Sequence, residues 1–417
     1  MKVVVLGAGV MGVTVAHALW RHGHDVTVVE RAAGVALETS LGNAGGLCPG
    51  FAGPWAAPGM PLKVLKMMFQ DDAAVRFVPR LDPAQWSWAW AFLKNCTPER
   101  FARNKRAMQR IAHFSLDCLK ELRAEIPLDY DGGQRGVLQL LQGEAEMQAG
   151  QRAAAVLQSL GIAHRMHDRA GVLALEPALA LSAAPIAGGL HLPGDETGDC
   201  HKFTVGLAAF LAARGVEFRF DTEITGLEVE AGRFRSVLTA RGNIAGNACV
   251  VALGPWAPRL LQPLGIRVPI YPVKGYALTL PIEQASAAPV SSIMDERSKT
   301  MLTRLGDRLR VAGMAEVAGY DRSVRPQSIT ALRRVVASLL PGMGDPGRGA
   351  VWAGLRPMTP DGPAYLGRSP VDGLYLNIGQ GSNGWTQACG SARIVADILT
   401  GLPAPIDLDG MEYTGRA

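Results

Sequence analysis

The chain has 417 residues, of which 48% are hydrophobic and 19% charged, and a formal net charge of +5. That length holds two or three domains with large cores, and the composition excludes disorder. Its basic residues are scattered rather than gathered in runs, which argues against nucleic acid as a partner.

Six cysteines form no C-x-x-C pair, so they read as packed, reduced thiols of a cytoplasmic-type compartment. No run approaches 18 apolar residues, and the chain opens on a strand rather than on a secretory leader. A cytoplasmic location is expected, with attachment to a membrane surface left open.

Lys2–Leu6 is a short apolar run of the kind buried on both faces of a parallel sheet. It leads into Gly7-Ala8-Gly9-Val10-Met11-Gly12, then into Val13, Ala16, His17, Leu19 and Trp20 at helical spacing. A second apolar run over 25–30 closes a βαβ unit of dinucleotide-binding type. Gly7 permits the tight turn, Gly9 lets a pyrophosphate approach the backbone, and Gly12 lets the helix pack closely on the strand. The helix start, with Val10 and Met11, offers N–H groups and a positive dipole end to phosphate. Glu30 can accept both ribose hydroxyls, which disfavours a 2′-phosphate there. Arg31 joins it as a cofactor contact. The loop Thr39-Ser40-x-x-Asn43-Ala44-Gly45-Gly46 can run along the pyrophosphate toward an isoalloxazine ring, or be only a flexible loop.

Residues 51–100 are rich in Pro and Trp. The spacing then predicts helices over 101–125 and 146–160 with a strand between them at Val137–Leu141. This is no continuation of the first sheet, so a different domain is inserted. A helix over 203–213 precedes strands at 216–220, 223–229, 234–239 and 248–253. These would complete the dinucleotide domain with Ile224, Ala252, Gly254 and Trp256 at the cofactor. Strand-like runs at 276–280, 299–302 and 309–313, with a helix over 328–340, read as a second part of the insert. Leu374–Ile378 then enters Gly379-Gln380-Gly381-Ser382-Asn383-Gly384-Trp385 and a helix over 386–399. A glycine loop opening a helix is a second anion site. A flavin needs one for the charge its N1–C2=O edge gains on reduction, whereas a nicotinamide does not. FAD is therefore the expected cofactor.

The segments GAGVMG, ETSLGNAG, PWAAPGMPLK, LPGDETGDC, YPVKGYALTLPI, RVAGMAE, GLRPMTPDG and GWTQACGS occur in order over essentially the whole length. In them the chain resembles the FAD-containing small subunit of bacterial D-amino-acid dehydrogenases, within the glycine oxidase and D-amino-acid oxidase superfamily. The resemblance implies an α/β fold: a Rossmann-type, glutathione-reductase-2-like FAD-binding domain with an inserted α+β substrate domain on a mostly antiparallel sheet. The domains fall at 1–50, 195–260 and 345–417 for FAD, and at 51–194 and 261–344 for substrate. It further implies non-covalent FAD and oxidative deamination of a D-amino acid, with D-alanine as reference, to a 2-oxo acid and ammonia. Electrons would pass to a quinone or other respiratory acceptor at the cytoplasmic face of the inner membrane. The alternatives are an oxygen-using D-amino-acid, glycine or imino-acid oxidase, and a D-proline or D-hydroxyproline dehydrogenase. Two positions depart from the family pattern: Gln380 stands where His is common, and Ser298 where Tyr is common.

Arg356 matches the superfamily's carboxylate-binding arginine and also counts among the cofactor contacts. A carboxylate held beside a flavin calls for a bidentate, permanently charged partner. Tyr276, Lys274 and Gln380 are further candidates to touch substrate or flavin. No general base is required, because the amine need only be neutral for hydride to leave the α-carbon. No metal is expected: His164 and His167 read as a solvated loop pair. Trp86, Trp88 and Trp90 read as core or inter-domain packing, with membrane contact as the lesser reading.

Overall fold

Apolar runs without a polar face must be covered on both sides, and here they form the central sheet. In the computed structural model, which describes residues 1–62 and 74–413, six strands build it. Their order is Tyr365–Arg368, Leu374–Ile378, Ala248–Val251, Lys2–Leu6, Asp25–Val29 and Glu217–Arg219. All neighbours are parallel except the first pair. Helix Val10–Arg21 packs against helices Cys200–Ala212 and Gly384–Thr400 over the valine-rich face of the sheet. Parallel strands end on a common edge, so Gly7, Glu30, Ala252 and Gly379, each just past a strand, converge where open α/β sheets bind ligands. The expected strands near 223–239 lie outside this sheet, in an antiparallel meander of Ile224–Glu230, Arg233–Thr239 and Ile244–Ala245.

The second sheet is mostly antiparallel. Its order is Ala350–Met358, Tyr271–Pro281, Arg308–Val317, Thr300–Leu305, Ser292–Asp295, Val137–Leu141, Gly188–Leu192 and Arg165–Asp168, with Val75–Phe77 paired to Arg308–Val317. Helix Pro326–Leu339 covers one face through Ile329, Leu332, Val336 and Leu339. Two points differ from the expected division of the chain. Strand Ala350–Met358, assigned to the FAD domain, is the edge of this large sheet, because it pairs with Tyr271–Thr279. Helix Pro98–Glu125, assigned to the substrate domain, sends Ala107, Ile111, Leu119 and Leu122 into the same core as Val3 and Val5.

Helix Pro83–Asn95 was not evident in the sequence, although Asp82 caps it by accepting from the Ala84 N–H at 3.0 Å. Of its three tryptophans only Trp88 is core. Trp86 and Trp90 are 51% and 62% exposed, which corrects the packing assignment. Residues 63–73, part of the Trp-bearing segment and including Lys63 of PWAAPGMPLK, lie outside the described residues. His167 is not in a loop: it is half-buried on Arg165–Asp168, 6.0 Å from the His191 ring.

Candidate active site

A cavity of about 960 Å³ runs from the strand ends of the parallel sheet to the large sheet. At the first end Gly7 has φ +98, a left-handed conformation that suits glycine. A Cβ on Gly12 would stand 1.8 Å from the Gly7 carbonyl oxygen, so helix and strand touch backbone to backbone. Ser40 Oγ accepts from the Val10 N–H at 3.1 Å, tying the 39–46 loop to the helix start. Glu30 takes the Ala8 N–H on Oε2 at 2.8 Å and the Ala32 N–H on Oε1 at 2.9 Å. Each oxygen keeps a further acceptor position. Arg31 holds its Cζ 4.2 Å from the Trp256 ring centroid and pairs with Glu38 at 2.7 Å. Ile224, Ala252 and Gly254 complete this wall.

Midway along, helix Gly384–Thr400 begins without a side-chain cap, and Ser382 to Thr386 border the cavity. Its free N–H groups and dipole end suit an anion. Gln380, only 2% exposed, donates through Nε2 to Asn377 Oδ1 at 2.6 Å.

At the far end three strands shape the wall. Val273 pairs with Arg356 and Gly275 with Gly354, so these side chains share one face of the sheet. The Arg356 guanidinium lies on Gly275: a Cβ there would be 2.4 Å from its Cζ. Arg356 Nη1 donates to the Met314 carbonyl at 2.9 Å, and Cζ lies 5.9 Å from the Trp55 ring. Met314 has φ +62, in an irregularity of the pairing between Tyr271–Pro281 and Arg308–Val317. A bulge of this kind re-aims a strand, here turning a carbonyl toward the guanidinium. Among the described residues no carboxylate pairs with Arg356. Burial draws its pKa down to about 10, which still leaves it charged at neutral pH. The Trp352 indole lies over Gly354 and Gly42, where a Cβ would stand 2.0 Å from the ring.

Most expected contacts border this cavity, but Gly12, Gly45, Gly379 and Lys274 do not. Lys274 is the clearest correction. It occupies the opposite sheet face from Arg356, because neighbouring strand positions alternate. Its ammonium is 1% exposed and meets Asp321 at 2.8 Å and Glu316 at 3.5 Å. Tyr276 borders the cavity, yet its hydroxyl donates to Glu316 at 2.6 Å. Arg76 pairs with the same carboxylate at 3.1 Å. Together they staple the bulge from behind. Thr39 borders the cavity, and its Oγ1 donates to the Leu355 carbonyl at 2.8 Å. Ser298 lies off the cavity, held by Asp295, while its neighbours Glu296 and Lys299 border it. Trp352, Trp55, Phe92 and Phe101 border the cavity too, and nothing in their spacing marks a ligand wall.

One wall loop rests on a buried acid. Asp195, 2% exposed, accepts the Gly50 N–H on Oδ1 at 3.0 Å, while Oδ2 has no partner among the described residues. Burial pushes its carboxyl up to about 7. A raised carboxyl contributes stability below its unfolded pKa and loses it as pH rises through the folded value. Asp195→Asn, which keeps the acceptor, should therefore stabilise the protein at pH 8 by on the order of 2 kcal/mol. It should do little at pH 4, where the acid is already neutral. Equal melting shifts at both pH values would refute this.

A glycine turn, a ribose-type acid, a second helix start and a lone arginine along one crevice define an oxidoreductase of the flavin-dinucleotide class. Residues 2–398 match the model of the FAD dependent oxidoreductase family, and the chain belongs to that family. FAD is its cofactor. The chain is 50% identical over 407 residues to a D-amino acid dehydrogenase of Cereibacter sphaeroides, covering 98% of this chain and 93% of that one. It is 47% identical to a D-amino acid dehydrogenase of Methylobacterium nodulans, with both chains covered in full. In fold it is similar to glycine oxidase from Geobacillus kaustophilus, with a TM-score of 0.76, 22% identity and 99% of each chain covered. It is similar too to L-proline dehydrogenase from P. horikoshii, with a TM-score of 0.74, 19% identity and 99% and 96% covered.

With Glu30 at the strand tip, Glu30→Ala should weaken FAD binding by about 2 kcal/mol through lost hydrogen bonds to a charged acceptor. Titration of the apoprotein with FAD measures this, and unchanged affinity would place the ribose elsewhere.

Proposed function

We propose that this chain is an FAD-dependent D-amino-acid dehydrogenase that deaminates its substrate to a 2-oxo acid and ammonia. The observation that carries the reading is Arg356: a desolvated, charged fork with no carboxylate partner among the described residues, facing a cofactor cavity. The near-50% identity to D-amino acid dehydrogenases along the whole chain supports it. FAD, when bound non-covalently, supplies the oxidation by accepting the α-hydrogen as hydride.

The chain's own residues do the rest. Gly7, Gly9, Val10 and Met11 receive the pyrophosphate, Glu30 the ribose, and Arg31, Ile224, Ala252, Gly254 and Trp256 surround the adenosine end. Asn43, Ala44 and Gly46 line the path toward the ring. The start of Gly384–Thr400, with Gly381, Ser382, Asn383 and Trp385, holds negative charge at the ring edge. Arg356 would fix the substrate carboxylate at the far end of the cavity. Gln380, tied to Asn377, shapes the wall between them. Water then hydrolyses the imino acid that leaves.

The decisive experiment is anaerobic flavin bleaching by a panel of D- and L-amino acids including glycine and D-proline. Bleaching by D-amino acids alone is expected. Bleaching should slow as pH falls below the amine pKa of the bound substrate, since an ammonium has no lone pair to expel hydride. A rate at saturating substrate that is flat or rises toward acid would contradict this.

The electron acceptor in this reading is a quinone of the inner membrane, met at its cytoplasmic face. Among the described residues no helix is long and apolar enough to cross a membrane. Helix Pro83–Asn95 supports peripheral contact, because Trp86, Trp90 and Leu93 are exposed on it and Lys94 lies 5.2 Å from the Trp90 ring. Stopped-flow reoxidation should be faster with a soluble ubiquinone analogue than with air-saturated buffer. Faster reaction with oxygen would make the protein an oxidase.

A further inference from the structure

Lys105 is a cation with no assigned task. It projects from helix Pro98–Glu125 and borders the cavity, and among the described residues it makes no ion pair or hydrogen bond. The Phe101 ring centroid lies 6.0 Å from Nζ. Burial lowers its pKa, and among the described residues no acid counters it. A half-buried ammonium without a partner is costly unless a ligand supplies one.

Apolar side chains share the cavity wall with it. Trp55, Met60, Val75, Phe92 and Phe101 border the same cavity. Trp55, Val75 and Phe92 also pack on one cluster with Trp88 and Val273. Trp55 links this branch to the substrate end, because its ring lies 5.9 Å from Arg356 Cζ, while Gly53 nearby meets the stem of Lys105. Helix Pro83–Asn95 has two apolar sides: Trp88 and Phe92 stack inward at 5.3 Å, and Trp86, Trp90 and Leu93 face out. A helix apolar on both sides separates the cavity from something that is itself apolar.

We infer that this branch, with Lys105 at its polar point, is where the electron acceptor binds, and that the acceptor is a quinone-type ring. The inference rests on the dehydrogenase reading and adds the place. An apolar amino-acid side chain would leave Lys105 unpaired, and a second carboxylate would sit badly against Phe92, Phe101 and Val75. A flat conjugated ring bearing carbonyl oxygens satisfies both demands, since the ring packs on the aromatics and an oxygen meets the ammonium. In the overall exchange the amino acid loses two electrons and two protons in becoming the imino acid. The quinone gains two electrons and two protons in becoming the hydroquinone. Lys105 holds a proton at Nζ for the oxygen that gains charge, and solvent replaces it.

The test separates the two half-reactions of the holoenzyme. For Lys105→Met, anaerobic flavin reduction by D-amino acids should match wild type, as should reoxidation by ferricyanide. Reoxidation by a short-chain ubiquinone should slow, with its half-saturating concentration raised roughly tenfold or more. Lys105→Arg should recover part of this. Quenching of protein fluorescence by the same ubiquinone, without turnover, should show the same loss of affinity. If Lys105→Met slows reduction by D-amino acids and spares the quinone step, the branch holds substrate and the inference is wrong. It is equally wrong if both quinone binding and reoxidation are unchanged in a variant with full flavin content. Should no D-amino acid reduce the wild-type flavin, the dehydrogenase reading fails instead, and the quenching titration still decides the branch.

Discussion

Arg356→Met should lower kcat/KM for D-amino acids by roughly two orders of magnitude or more, chiefly through KM. The estimate follows from removing a charge-assisted, bidentate pair in a partly dry site, worth about 3–5 kcal/mol. Methionine keeps the apolar stem and much of the volume, so the sheet should survive. Arg356→Lys should recover only part, because a single ammonium cannot fork onto two carboxylate oxygens. Gly275 sharpens the test. A Cβ there would stand 2.4 Å from the guanidinium carbon, so Gly275→Ala must move the charge without removing it. That variant should raise KM while FAD content stays at the wild-type level. If Arg356→Met and Arg356→Lys both keep the wild-type kcat/KM, the substrate carboxylate is bound somewhere else.

The cofactor end of this site was readable from the chain because its signals are local. The turn Gly7 to Gly12, the strand before it, the helix after it and Glu30 at the next strand tip all lie within thirty residues. Their spacing alone fixes the geometry. The loop 379–385 is equally local. The runs at 276–280, 299–302 and 309–313 marked strands of the large sheet, whereas its mostly antiparallel character was implied by the resemblance and by no local spacing.

The substrate end depends on register, which no local pattern states. Lys274 and Tyr276 flank Gly275 in sequence, yet a strand turns adjacent side chains to opposite faces. Only the pairing of Gly275 with Gly354 shows that Arg356 shares the face of Gly275 and that Lys274 does not. The irregularity at Met314 is similarly hidden: a methionine at φ +62 has no sequence mark, and the Glu316 staple behind it joins residues forty positions apart. The misplaced boundary near 345 has the same origin. Strand Ala350–Met358 follows the insert in sequence but finds its partner in Tyr271–Pro281. Trp352 carries no sequence mark either, since an aromatic in a strand usually packs in a core. What sets it apart is that Gly42 and Gly354 leave room for its ring.

Two glycines of the first turn should fail in different ways, and the contrast separates folding from cofactor binding. A Cβ at Gly12 would lie 1.8 Å from the Gly7 oxygen and 2.9 Å from its carbonyl carbon. Both atoms are backbone, so nothing flexible can yield, and the helix must lift from a strand whose residues Val3 to Leu6 are fully buried. Overpacking of this kind costs about 1–3 kcal/mol and sometimes more. Gly12→Ala should therefore melt below wild type even as apoprotein, and should purify with little or no flavin. Among the described residues a Cβ at Gly9 meets only Ser40 Oγ, at 3.5 Å, an ordinary contact. Gly9→Ala should fold as well as wild-type apoprotein and yet bind FAD weakly, because the added methyl occupies the approach of the pyrophosphate. The measurements are apoprotein melting curves and the flavin-to-protein ratio after saturation with FAD. If Gly12→Ala melts with wild-type apoprotein and takes up FAD fully, the close approach of helix and strand is not what that glycine provides. If Gly9→Ala binds FAD normally, the pyrophosphate does not cross the backbone there.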